Sequence, residues 1–254
     1  MSDGALSEDD IVKMLSNDSN EELKEIVEKS SYLSKEDKDD YTFLLNVLDN
    51  ADNKKNQEFS LENRELKFSV EQVNKISVIY EKFASLAAKR IYDKIKCAVF
   101  VNFASVNQLT VKEFSLCLPT PTLLGFFNML NGNCVVEIDT ITAFAIIDMI
   151  HEKTLETTKS LSELNENDKS IIKELFIDLM QDMKEAWKDI INIQPKLVKI
   201  KSNPKSIDIA AAEEMTAIIT LQTKIIDVFS SNPADGMINI CLPYSVFEDV
   251  LEKL

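Results

Sequence analysis

Apolar residues fall into three regimes along the chain. Near the N-terminus Ile11, Met14 and Leu15 share one face at helical spacing, just after Leu6-Ser7-Glu8-Asp9-Asp10. Ser7 reads as an N-cap, Asp10 stands three residues on as in a capping box, and Leu6 can staple to Ile11. The acids of the first turn suit the helix dipole. A helix this short is marginal in water, so its stripe is expected to fold against a partner protein or against its own domain. From Asn20 to about Lys67 the chain turns polar, with weak helical patterns at Glu22 to Leu33 and Tyr41 to Leu48. That stretch is expected to be a flexible, acidic tether rather than a core-building domain.

A compact domain is predicted from Phe68 onward. Ser69-Val70-Glu71-Gln72 is a second capping box, with Phe68 and Val73 placed as its staple. Val70, Val73, Ser77, Tyr80, Ala84, Ala87 and Ile91 then mark one face of a long helix to about Asp93, widened by Ile76, Ile79, Phe83 and Leu86. A strand over Cys97 to Phe103 and a short helix over Val111 to Leu116 follow. Pro119 and Pro121 hold the next connection extended. Strands over Thr122 to Leu130 and Cys134 to Asp139 meet through Asn131-Gly132-Asn133, a hairpin signal, and Thr140 opens a helix to about His151. The order then returns: a long helix from Glu163 to Ile191, strands at Ile193 to Lys201, Thr216 to Ile226 and Gly236 to Leu242, and a final helix from Tyr244. In the strand from Thr216, Ala217, Ile219, Leu221 and Ile225 share a face opposite Thr216, Thr220, Gln222 and Lys224. An offset of about a hundred residues between the copies predicts an α+β fold, a pseudo-two-fold duplicated α-β-(α)-β-β-α domain whose halves pair their sheets. The predicted division is 1–18 amphipathic segment, 19–67 linker and 68–254 folded domain.

Composition narrows the chemistry. Hydrophobic residues make up 45% and charged residues 28% of 254. No apolar run approaches the roughly 18 residues of a membrane span, and the acidic N-terminus is unlike a signal peptide, so a cytoplasmic protein is expected. Forty-three acids against 28 bases give a net charge of −15. That field repels phosphate backbones, which argues against a nucleic-acid partner. Cys97, Cys117, Cys134 and Cys241 are scattered through apolar segments and read as buried free thiols. With His151 the only histidine, no metal site has ligands at usable spacing. The four glycines (Gly4, Gly125, Gly132, Gly236) cannot build a phosphate-cradling loop, so no cofactor is expected. Trp187, Phe126 and Phe127 read as core, and His151 as a surface residue without a partner.

Leu6-Ser7-x-x-Asp10-Ile11-x-x-Met14-Leu15 resembles the N-terminal signature of the flagellar motor switch (FliM) family. The folded region resembles that family's CheC-like middle domain. The resemblance rests on Val106-Asn107-Gln108-Leu109-Thr110 with Glu113-Phe114, Leu118-Pro119-Thr120-Pro121-Thr122, Gly132 to Ile138, Ala143 to Asp148, Glu185-Ala186-Trp187, Asn203-Pro204 and Met237 to Val246. It implies that the N-terminal segment binds phosphorylated CheY. Ile11, Met14 and Leu15 would be the apolar anchors, flanked by Leu6 and Ser7, with Asp9 and Asp10 as polar contacts. It further implies side-by-side self-association in a ring, contact with the FliG middle domain, and a place at the inner face of the cell membrane in the flagellar basal body. Two departures stand out. Where the family carries a glycine-rich GGxG loop that contacts FliG, the positions after His151 read Glu152, Lys153, Thr154 and Leu155, which weakens the FliG expectation. The family's FliN-binding C-terminal domain has no counterpart before Leu254. A short relative that sequesters CheY away from the motor is the alternative reading.

The same duplicated fold resembles the CheC and CheX phosphatases, whose Glu-x-x-Asn pair on a long helix positions an attacking water. Glu71-x-x-Asn74 has the spacing but sits in the first helical turn. The aligned positions read Ser77 and Tyr80, and on the second long helix Glu174 is followed by Ile177. A binding protein without catalytic residues is therefore expected.

Overall fold

The computed structural model describes residues 66–152, 164–227 and 233–253. The chain divides into two units, 1–65 and 66–254, and the described residues belong to the second. The amphipathic segment over 1–18 and nearly all of the acidic linker lie outside them.

Helix α1 spans Val70–Ile95. Ser69 Oγ accepts from the Gln72 amide and Gln72 Oε1 accepts from the Ser69 amide, the reciprocal cap expected from sequence. Ile76, Ile79, Tyr80, Phe83, Ala84, Ala87, Ile91 and Ile95 form its buried stripe, and Lys96 ends it in the left-handed region (φ 55°). The Phe68 ring meets Tyr244 and Phe247 edge-on, at 5.1 and 5.8 Å between centroids.

Strand β1 covers Ala98–Thr110. It runs past the expected end at Phe103 because a register shift between Phe103 and Ser105 absorbs one residue before pairing resumes. Helix α2, Val111–Cys117, starts with another reciprocal cap, Thr110 with Glu113. The Thr120–Pro121 peptide is cis. Strands β2 (Leu123–Met129) and β3 (Gly132–Ile138) form a hairpin. Its turn is Leu130-Asn131, not the expected Asn131-Gly132-Asn133. Leu130 takes the positive φ (53°), while Gly132 pairs with Met129 inside the ladder. Gly132 is needed for close packing instead, since a Cβ there would collide with Val246 Cγ2.

Helices α3 (Thr140–Ile150) and α4 (Glu166–Trp187) follow. Strand β4 covers Lys196–Lys201, starting after Pro195, which has no amide to give a ladder. Strands β5 (Met215–Ile226) and β6 (Ala234–Pro243) complete the sheet. The expected C-terminal α-helix is replaced by 3₁₀ turns, Tyr244–Val246 and Glu248–Lys253. Buried Phe247 and Val250 lie three residues apart, matching the three-residue turn, and the Val250 amide donates to the Phe247 carbonyl at 2.7 Å.

The six strands among the described residues form one antiparallel sheet in the order β1-β5-β6-β3-β2-β4. Exchanging each strand with its counterpart in the other half (β1 with β4, β2 with β5, β3 with β6) returns this order reversed. The pseudo-dyad therefore runs between β3 and β6, and the expected duplication is present in the hydrogen bonding. Helices α1, α3 and α4 cover one face, closing the main core around Trp187, Phe83, Phe127 and Phe176. The other face is only partly open. Val111 and Phe114 of α2, with Ile209, bury Leu124, Phe126, Val135, Ile218 and Cys241 beneath them. Cys134 and Cys241 are buried as expected; Cys97 is half-buried, and Cys117, at the exposed end of α2, corrects the expectation of four buried thiols.

Candidate partner-binding site

Among the described residues, hydrogen bonds fix both ends of α3 and the start of α4. Asp139 caps α3, one carboxylate oxygen accepting from the Thr142 amide (2.8 Å) and the other from the Met237 amide of β6 (2.9 Å). From Thr142 to Asp148 every residue of α3 is buried, because the helix is wedged against β5, β6, α1 and α4. It stops at His151, whose amide donates to the Ile147 carbonyl (3.0 Å), and the Glu152 amide donates to the Met149 carbonyl (3.1 Å). Glu152 itself stands at φ 55°. This is the backbone state that favours glycine, held here by a residue with a Cβ at a cost of about 1–2 kcal/mol.

His151 is not the partnerless surface residue expected from sequence. Its Nε2 donates to Asp168 Oδ1 at 2.8 Å, and both side chains are largely covered, 24% and 10% exposed. Asp168 is the third residue of α4. Its other oxygen accepts from the Asn165 amide (3.1 Å), while Asn165 Oδ1 caps the Asn167 and Asp168 amides. Sequence offered no signal for the pair, since 17 residues separate the partners. Of the expected rotor-contact positions, His151 and Glu152 are therefore placed, while Lys153, Thr154 and Leu155 lie outside the described residues. So do Leu6, Ser7, Asp9, Asp10, Ile11, Met14 and Leu15, expected to bind CheY.

The positions weighed for phosphatase chemistry lie along α1 and α4. Glu71 is 81% exposed and pairs with Lys75 one turn on (3.5 Å). The Ser77 hydroxyl donates to the Val73 carbonyl (2.9 Å), and the Tyr80 ring is fully buried, its phenol pushed well above the ordinary range by desolvation. Glu174 faces Lys94 (3.6 Å), and Ile177 stands where an amide would be needed. The seam between α1 and α4 is instead an ion-pair ladder. Arg90 grips Asp182 through Nε (2.8 and 2.7 Å) and Nη2 (2.5 Å), and Lys94 reaches Asp178 at 2.9 Å. Burial pushes the Asp182 carboxyl up, against the pull of Arg90.

On the sheet's other face a polar row runs from Thr122, just before β2, across β3, β6 and β5. Thr122 Oγ1 donates to one Glu137 oxygen, Asn239 Nδ2 donates to the other (2.9 Å), and Thr220 Oγ1 donates to Asn239 Oδ1 (2.9 Å). Glu137 is 1% exposed, and desolvation raises its pKa to about 7 against the two hydrogen bonds. A lone acid inside the apolar run Gly132-Asn133-Cys134-Val135-Val136-Glu137-Ile138 was the signal that sequence reading passed over.

The family profile "Flagellar motor switch protein FliM" matches residues 69–254. The chain belongs to the FliM family. It is 33% identical to a FliM of Borreliella burgdorferi over 255 residues, covering 99% of this chain and 67% of that one. It is 33% identical to a FliM of Treponema pallidum over 190 residues, 74% of this chain and 54% of that one. The chain thus spans from about half to two thirds of the length of these curated relatives. A FliM solved in a FliG–FliM complex from H. pylori superposes with a TM-score of 0.65 at 26% identity, over 72% of this chain and 99% of that chain. No helix among the described residues is long and apolar enough to cross a membrane.

Proposed function

We infer that this FliM-family chain is a signal-receiving component of the flagellar rotor, a binding protein rather than an enzyme. Residues 1–18 take phosphorylated CheY through Ile11, Met14 and Leu15. The folded domain joins its copies side by side in a ring at the cytoplasmic face of the basal body and meets the FliG middle domain at the corner after α3. Holding the CheY site on the same chain as the ring raises the local concentration of captured CheY without any new contact.

The observation that carries the FliG reading is the backbone of Glu152. The family loop begins with a glycine at this corner, and here the chain takes the left-handed turn glycine would favour, though the residue is glutamate. A left-handed residue at the position where the family resemblance places a glycine supports a rotor component over a CheY-sequestering relative. The FliM in the solved FliG–FliM complex shares this fold. The CheY arm is tested by titrating phosphorylated CheY into the full chain and into a variant carrying Ile11→Ala and Leu15→Ala. Affinity should fall at least about tenfold, near 1.4 kcal/mol. Equal affinities would remove the segment from the function.

A further inference from the structure

The His151–Asp168 bond is surplus to the local needs of both helices it joins. The last turn of α3 is closed by backbone bonds from the His151 and Glu152 amides, and the start of α4 is already capped by Asn165 Oδ1. What the bond does is tie residue 151, where α3 stops, to residue 168, within the first turn of α4. Asp168 divides its two oxygens between these tasks, one toward the Asn165 amide and one toward the imidazole. The pair is only 24% and 10% exposed, so water competes weakly for it. Its neighbour Glu152 turns the chain out of α3 through φ 55°.

We propose that His151 and Asp168 form a positioning clasp that fixes how the end of α3, at His151 and Glu152, is presented to FliG. The proposal rests on the reading of that end as the FliG-facing surface. A clasp of this kind sets the exit direction of Glu152 before the partner arrives, so less conformational freedom is lost on docking. Neither side chain needs to touch FliG for the effect, and the pair acts through the backbone it holds.

The test is calorimetric titration of the 254-residue chain with the FliG middle domain, comparing wild type, His151→Ala, His151→Gln, Asp168→Ala and the double alanine variant. His151→Ala should weaken binding about tenfold. His151→Gln, which keeps an N–H within reach of Asp168, should restore most of it. Asp168→Ala should cost a similar factor, and the double variant should cost no more than either single change, the mark of two residues acting as one unit. Circular dichroism and thermal melts establish that each variant is folded, and His151→Gln serves as the reading variant if an alanine form is not. Wild-type binding with unchanged affinity in His151→Ala and Asp168→Ala overturns the clasp and leaves the FliG surface standing. Failure of wild type itself to bind overturns the surface, and the clasp with it.

Discussion

Glu137 lies on the seam of the pseudo-dyad, paired across it with Asn239 in the β3–β6 ladder. Its carboxylate is out of water and is held by Thr122 and Asn239, with Asp139 adding repulsion. In the folded chain its pKa stands at about 7, against 4.5 as a free side chain, with desolvation the main cause. Between those two values the folded protein keeps a proton that the unfolded chain has released. Stability from this group is therefore greatest at the acid end, falls as pH rises through the window, and levels off above about pH 7. The gap corresponds to roughly 3 kcal/mol. Glu137→Gln removes the titration. Its amide oxygen can accept from Thr122, and Asn239 can turn its own amide over to accept from the new N–H, with the Thr220 hydroxyl then accepting. Glu137→Leu is equally neutral but takes the acceptor from the Asn239 amide, at about 1–3 kcal/mol, while the Thr122 hydroxyl keeps the Ile138 carbonyl at 3.3 Å. Urea unfolding followed by the fluorescence of Trp187, the only tryptophan and fully buried, gives the stability at each pH. The wild-type minus Glu137→Gln difference should tilt against wild type from about pH 5 to about pH 7 and reach about 3 kcal/mol above it. Glu137→Leu should show the same tilt with a smaller final gain. Parallel wild-type and Glu137→Gln curves would mean the buried carboxylate carries no such cost.

Two further outcomes follow from packing and backbone geometry. Gly125→Ala should lower the thermal midpoint by the equivalent of about 1–3 kcal/mol, because the added Cβ would lie 2.5 Å from Phe176 Cδ1; Phe176→Leu in the same chain should recover part of the loss. Glu152→Gly should raise stability by about 1 kcal/mol by relieving the left-handed backbone, read from urea midpoints, and a loss there would argue that the turn is not strained.

Most of the helices and strands could be read from their periodicity and caps, since Ser69-Gln72 and Thr140-to-His151 are local patterns. The duplication was legible for the same reason, as it repeats an order of elements. What escaped was set by contacts distant in sequence. The extension of β1 to Thr110 needs the 12-residue β5 beside it, and the packing role of Gly132 needs Val246 across the core. The C-terminal turns adopt three residues per turn because Phe247 and Val250 must both reach the core. At the candidate site, the loop expectation rests on the family resemblance, and its positions Lys153, Thr154 and Leu155 lie outside the described residues. The tie between His151 and Asp168 was not legible, because it depends on how α3 and α4 meet.

Calorimetric titration of the wild-type 254-residue chain with the FliG middle domain tests the central claim most directly. A complex in the micromolar range, about −8 kcal/mol, is the result expected of the proposed rotor component. No detectable heat at high protein concentration, with phosphorylated CheY still binding the same sample, would contradict it and leave a chain that receives the signal without passing it to FliG.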